Sequence, residues 1–380
     1  MAKPSSPTLS QSADVGLVVG QGAAPLWGMS SEERLRRSLI LAGVAEVLLD
    51  ASDLVGLDVP VLAVRADWVF DQSLITALAK RPGAMLLAPG GEAVAAHLLS
   101  CAQARAFAAG DLPDGLVRLA PDTLVPKYDS KLRKLSPPYL MPLTAETVPT
   151  IERRMFDGSY KGVTDVVTKY VWPRPAQAVT KLCARMGIMP NQVTIISAVL
   201  TVAAIEGFLG SHFAWGLICA WGMTFLDTVD GKMARVTLTS SRWGNVLDHG
   251  LDLIHPPFWW WAWGAGLYNA GYTVGVDELT MLIVIVGYVL LRVQEGIFIG
   301  LFKMEMHIWK QFDSRFRLIT SRRNPNLVLL TIGLIAGRPD LGMAAVALWT
   351  LISLAVHTVR ILQALLAAKP LGSWMQAEAG

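Results

Sequence analysis

The chain is short of charge and of cysteine. Only 17% of its 380 residues are charged, against roughly 25% in an ordinary soluble domain. With 53% hydrophobic residues and a mean hydropathy of +0.43, that shortage excludes a disordered chain and argues against a wholly soluble one. Three cysteines exclude a disulfide scaffold and offer no paired metal-ligand spacing. No excess of one charge sign stands out either. The 33 basic and 30 acidic residues leave a net +3, too little to indicate nucleic acid as a partner. The opening MAKPSSPTLSQSADV lacks the apolar core of a secretory leader, so the N-terminal half is expected to stay in the cytosol.

What is present is uneven. Residues 1–190 hold 20 Lys/Arg and 18 Asp/Glu, and residues 191–380 hold 13 and 12. The long apolar runs lie in the second half. A helix needs about 20 apolar residues to span a bilayer. Candidate spans are Val193–Leu209, Phe213–Asp227, Val246–Tyr268, Leu279–Phe302, Leu327–Ala336 and Leu341–Ala367. That makes six, or five if the short fifth run does not cross. Lys303, Lys310, Arg315, Arg317, Arg322 and Arg323 crowd one loop, and Lys232, Arg235 and Arg242 another. The positive-inside rule then places these loops and both termini in the cytoplasm of a multi-pass, bacterial-type inner-membrane protein.

The first half alternates strand-like and helix-like runs. VGLVVG, AEVLLD, VPVLAVRAD and AMLLAP read as strands, and SSEERLRRSLILAG as a helix capped by Ser30 or Ser31. This rhythm predicts an α/β domain over residues 12–150 with a parallel sheet. Gly20-Gln21-Gly22 after the first strand is either a phosphate cradle or a plain turn. Asp67 at a strand end is either a metal or nucleotide ligand or a surface carboxylate. Residues 151–190 form a basic connector, expected to lie at the lipid interface. A membrane domain over 191–368 and a cytosolic tail over 369–380 complete the division.

Four carboxylates stand where apolar residues are expected: Asp227, Asp230, Asp248 and Asp252. One aspartate at a span's centre costs roughly 2.5–3.5 kcal/mol on insertion scales, so four need counter-charge, water or metal. Asp227 and Asp230 are three apart and share a helix face. Gly244, Asp248 and Asp252 follow at intervals of four on the next helix. If the helices are neighbours, the carboxylates converge, and such hard oxygen donors suit Mg²⁺ or Mn²⁺. Gly231, Ala234 and Gly244 are small on the same faces and admit a phosphate group or a neighbouring backbone.

Asp227, Asp230, Gly231, Ala234, Arg235, Gly244, Asp248 and Asp252 spell D-x2-D-G-x2-A-R-x8-G-x3-D-x3-D. This resembles, at every fixed position, the signature of the CDP-alcohol phosphotransferase family. Pro190-Asn191-Gln192-Val193-Thr194 is also similar to that family's entry into its first membrane helix. The resemblance implies a six-helix membrane enzyme with a cytosol-facing cavity. Such an enzyme moves a substituted phosphoryl group from a CDP-alcohol to an alcohol acceptor and releases CMP. It implies two divalent ions held by Asp227, Asp230, Asp248 and Asp252, and Asp252 as the general base on the acceptor hydroxyl. Gly231, Ala234, Arg235 and Gly244 would line the CMP end. Membrane lipids are implied as surroundings and donor, and a homodimer is compatible with the family.

Several features fall outside the motif. Arg315, Arg317, Arg322 and Arg323 are expected on the cytosolic side, where they either bind a phosphorylated acceptor or an anionic lipid or simply obey the positive-inside rule. Arg292 and Glu295, three apart, either pair or face the cavity. Phe258 to Trp261 with Trp263 reads as an interfacial aromatic belt. His255-Pro256-Pro257 is expected to kink the third span.

The soluble half resembles the sugar-phosphate nucleotidyltransferases through its Gly-rich loop, the GMSSEERLRRSL helix and Asp67. It departs from them where Ala23, Ala24, Pro25 and Leu26 replace the basic loop residue, and a degenerate, non-catalytic copy is expected. Together the halves are similar to the fused enzymes of inositol-phosphate diester synthesis, which keeps a polyol phosphate among the acceptors. Two other readings stay open: a bifunctional enzyme with an active cytidylyltransferase half, and a divalent-cation transporter whose aspartates form the transport site.

Overall fold

The structure, a computed structural model, describes residues 13–57, 59–129, 132–240, 242–367 and 371–379. The side chains of residues 242–249, 251, 252 and 379 lie outside that description. Two compact units divide the chain. One is Met1–Asp129 with Leu135–Gly158 and Val236–Leu238, and the other is Ser130–Lys134 with Ser159–Arg235 and Thr239–Gly380.

The first unit is built on seven labelled strands: β1 Val15–Val19, β2 Glu46–Leu48, β3 Val61–Arg65, β4 Trp68–Phe70, β5 Ala84–Leu87, β6 Ala93–Leu98 and β7 Val117–Leu119. Its helices are α1 Ser31–Leu41, α2 Gln72–Leu78, α3 Cys101–Ala109, α4 Pro121–Leu124 and α5 Val148–Gly158. Six strands form one sheet in the order β2-β1-β3-β6-β5-β7, and β4 pairs with the short strand Leu140–Pro142. Along β3, Leu62 and Val64 join a core with Leu35 and Leu39 of α1 and Leu74 and Ile75 of α2. Val61 and Ala63 join the opposite core with Cys101, Ala104 and Phe107 of α3. The sheet is therefore covered on both faces, as strands apolar on every residue require. The Ser30 hydroxyl accepts from the Glu33 amide and starts α1.

The parallel sheet expected from the sequence is in fact mixed. β6 runs antiparallel to both β3 and β5. The cause is local: only Ala88–Glu92 separate β5 from β6, too few for a crossover. Gly91, at φ +85°, turns the chain, and the Ala88 amide donates to the Glu92 carbonyl at 2.8 Å.

The second unit is helical: α6 Pro173–Arg185, α7 Pro190–Leu209, α8 Phe213–Val236, α9 Arg242–Asn269, α10 Glu278–Phe302, α11 Gln311–Phe316, α12 Arg323–Ile335, α13 Pro339–Leu366 and α14 Trp374–Ala379. Among the described residues three helices, α7, α10 and α13, are long and apolar enough to cross a membrane. The other expected spans also fall on helices. α8 carries the charges of the motif, and α12 has 13 residues.

The aromatic belt is corrected. Trp259, Trp260 and Trp263 of α9 are fully buried and pack with Phe208 and Phe213 in the core of the bundle. For two of them the indole N–H explains how the ring goes inside: Trp259 donates to the Thr201 carbonyl at 3.1 Å and Trp263 to the Pro339 carbonyl at 3.3 Å, whereas Trp260 Nε1 has no partner among the described residues. Phe258 and Trp261 stay exposed. α9 remains one helix through Pro256 and Pro257.

Candidate functional site

The second unit encloses a cavity of about 470 Å³. α8 lines it with Asp227, Thr228, Gly231, Lys232 and Arg235, and α10 with Tyr288, Arg292 and Glu295. Arg317, Arg322, Arg323 and Asn324 close a third side, and the connector supplies Tyr160, Lys161, Val163, Thr164, Asp165 and Thr168.

The helical period carries the motif's first half to this wall. Asp227 accepts from Arg323 Nη2 at 2.6 Å. Asp230, one turn on and 4% exposed, accepts from the Thr194 hydroxyl at 2.6 Å. Gly231 borders the cavity with nothing within 4 Å of where a Cβ would stand, so the space beside Asp227 is open to a ligand, whereas Asp230 is buried outside the lining. Arg235 lines the cavity and donates to the Ser159 carbonyl at 3.3 Å. Ala234 is half-buried and outside the lining. Gly244, Asp248 and Asp252 belong to α9, but their side-chain positions lie outside the described residues.

The arginines divide. Arg317, Arg322 and Arg323 line the cavity, whereas Arg315 on α11 is exposed and outside it. Arg292 and Glu295 form an ion pair at 3.0 Å, with Arg322 on the same carboxylate. Arg292 Nε and Nη2, Arg317 Nη1 and Arg322 Nε are buried with no hydrogen-bond partner among the described residues. Burial, with Arg322 alongside, pulls the Arg317 guanidinium down to about 9, still charged at neutral pH. This wall is short of negative charge.

Several cavity residues escaped the sequence reading. Asp165 is buried and accepts from the Val167 and Thr168 amides and from Asn324 Nδ2. Burial opposes its charge, yet Arg317 and the hydrogen bonds from Thr168 and Asn324 hold its carboxyl below the usual range. Lys232, 6% exposed, stands 3.8 Å from the Tyr160 ring centroid. Arg133, from the short segment before α5, lines the cavity and pairs with Glu305. The only local hint in the sequence was the Asp165-to-Thr168 capping pattern.

Glu295, His307 and His357 bring one ligand atom each to within 4.8 Å of one another. As a cation site the group is poor, because its single carboxylate is already shared by two guanidinium groups, Arg292 and Arg322, which would oppose the ion's charge. The Asp227 and Asp230 oxygens are the donor set that suits a hard divalent cation.

In the first unit, the Gly22 amide donates to Glu32 Oε1 at 2.8 Å. A carboxylate therefore already occupies an amide of the glycine loop where a phosphate would otherwise be received. Asp67 pairs with Arg65 and is partly exposed.

Residues 187–363 match the family model described as CDP-alcohol phosphatidyltransferase. Over 80 residues the chain is 40% identical to archaetidylinositol phosphate synthase of Pyrococcus horikoshii, covering 21% of this chain and 42% of that protein. Over 89 residues it is 36% identical to phosphatidylinositol phosphate synthase of Mycobacteroides abscessus, covering 22% and 40%. Over 124 residues it is 27% identical to cholinephosphotransferase 1 of Xenopus laevis, covering 30% of each. The chain spans less than half the length of each of these relatives.

Proposed function

We propose, from the premise that residues 187–363 are a CDP-alcohol phosphatidyltransferase domain, that this chain transfers a substituted phosphoryl group to an acceptor hydroxyl and releases CMP. The donor is a CDP-alcohol such as CDP-diacylglycerol, and the acceptor itself carries a phosphate. One observation carries the reading: Asp227 and Gly231 border the same cavity as the under-compensated Arg292, Arg317 and Arg322. A motif carboxylate for a cation and guanidinium groups for an anion thus share one chamber. The names of two relatives, which describe phosphatidylinositol phosphate and archaetidylinositol phosphate synthases, favour a polyol phosphate as acceptor.

Asp227 and Asp230 would hold Mg²⁺ or Mn²⁺, joined on the motif's pattern by Asp248 and Asp252. When bound, the ions neutralise the diphosphate and stabilise the departing CMP. Arg323 fixes Asp227, and the Thr194 hydroxyl fixes Asp230. Gly231 keeps the ligand space clear, and Arg235 brings positive charge to the nucleotide side. Arg292, Arg317 and Arg322 take the acceptor's phosphate through their free N–H groups. Asp252, on the motif's pattern, accepts the proton of the attacking hydroxyl. In this reading α7 to α10, α12 and α13 span an inner membrane. The termini and cavity mouth are cytosolic, and two copies pair.

The test is CMP release by the purified chain with Mn²⁺ or Mg²⁺, CDP-diacylglycerol and a panel of plain and phosphorylated polyols. Metal-dependent release with a phosphorylated acceptor, lost in Asp252→Asn, is expected. Release that needs no acceptor phosphate would refute the acceptor assignment. Metal flux into liposomes without nucleotide would instead favour transport.

A further inference from the structure

We infer that Glu295 is a positioning residue for the proposed acceptor site: it aims Arg292 and Arg322 at the incoming phosphate, and His307 in turn orients Glu295. The inference rests on the acceptor reading above and assigns the device by which this cavity would distinguish a phosphorylated from a plain alcohol.

The geometry is that of one carboxylate serving three donors from three elements. Glu295 sits on α10, three residues after Arg292, and Arg292 Nη1 reaches its Oε2 at 3.0 Å. Arg322, immediately before α12, donates Nη2 to Oε1 at 2.5 Å and also contacts Oε2. From the 3₁₀ turn Met306–Ile308, His307 Nε2 lies 3.0 Å from Oε1. The Glu295 side chain is 15% exposed and that of His307 5%. Two guanidinium groups packed this closely repel each other unless a negative charge lies between them. Glu295 provides it, and by using one edge of each fork it leaves the others open. Arg292 Nε and Nη2 and Arg322 Nε are the buried donors left without partners among the described residues. Arg317 Nη1 adds a further one. Donors left open in a buried wall match the several oxygens of a phosphate monoester.

His307 is built to hold rather than to bind. Burial keeps its imidazole neutral, so a proton on Nε2 commits it to donating to Glu295. Its turn is anchored by the Ser314 hydroxyl, which donates to the His307 carbonyl at 2.7 Å.

The experiment uses the full-length protein in lipid-detergent micelles, with CDP-diacylglycerol, Mn²⁺ and inositol phosphate, and CMP release as readout. Inorganic phosphate serves as a competing anion. Glu295→Gln keeps the shape and removes the charge. It is expected to raise KM for inositol phosphate, and the inhibition constant of inorganic phosphate, about tenfold or more, with KM for CDP-diacylglycerol changed less than about twofold. Glu295→Asp is expected to recover part of the loss. His307→Leu should raise the same KM by about threefold to tenfold, and His307→Gln, which keeps an N–H donor, by less. If Glu295→Gln leaves both constants unchanged, or lowers kcat with every KM intact, the inference is overturned. Should that variant fail to fold, Glu295→Asp and His307→Leu carry the same readouts. A wild-type enzyme indifferent to inorganic phosphate and equally fast with plain inositol would overturn the acceptor reading itself, whatever the variants do.

Discussion

At the scale of single residues, the aspartate motif was legible because its spacing is a statement about helix geometry. Residues three apart on α8 share a face, and there Asp227 borders open space beside Gly231 while Asp230 turns to Thr194. Their supports were not legible: Thr194 and Arg323 lie on other helices, and only packing brings them near. Thr194→Val removes the hydrogen bond to Asp230. It should lower CMP release about tenfold and raise the Mn²⁺ requirement, read from a metal titration. Asp230→Asn should cost more, at least about a hundredfold. A pH dependence also belongs here. Burial pushes His307 down to about 3, against the effect of Glu295, with Arg317, Arg322 and His357 facing it too. The unfolded chain binds that proton more readily, so stability is full above about pH 6.5 and falls as pH drops toward 3. Thermal unfolding between pH 7.5 and 5 should therefore slope less in His307→Gln than in the wild type.

At the scale of elements, the existence of α1, of the helices on the six apolar runs and of β1, β2, β3 and β5 followed from apolar patterning, while pairing direction and side-chain destination did not. β6 was missed as an antiparallel partner because Pro89-Gly90-Gly91 reads as an ordinary loop until the next strand is seen to fold back. The tryptophans of α9 were misplaced because an indole suits both an interface and a core carbonyl. Small residues decide how near these helices come. A Cβ on Gly266 of α9 would stand 1.9 Å from the Phe208 carbonyl oxygen of α7. Gly266→Ala should therefore force the two helices apart and lower the melting temperature sharply. Gly296→Ala in α10, with nothing within 4 Å, should leave it unchanged or slightly raised.

At the scale of the whole molecule, a boundary at residue 150 was read from where the strand and helix rhythm gives way to a basic stretch. By contacts, Leu135–Gly158 groups with the first unit and Ser159–Arg235 with the second. The cavity draws on residues of this connector, such as Asp165, that composition alone marked as interfacial. For the first unit, Glu32 on the Gly22 amide leads to an expectation opposite to a working nucleotide loop. Pyrophosphate release from CTP with a polyol phosphate should stay at background, and Asp67→Ala should leave CMP release by the transferase unchanged.

Arg133 has a consequence for anyone who divides the gene. Residues 130–134 count with the helical unit, yet residues 135–158, which follow them, count with the sheet. No single cut therefore yields both halves whole. A break before residue 130 strands α5 and the partner of β4 on the wrong fragment, and a break after 158 takes Arg133 away from the cavity it lines. The segments of the two units alternate along the sequence, and a fragment-complementation library should find function restored only by pieces that overlap across this stretch.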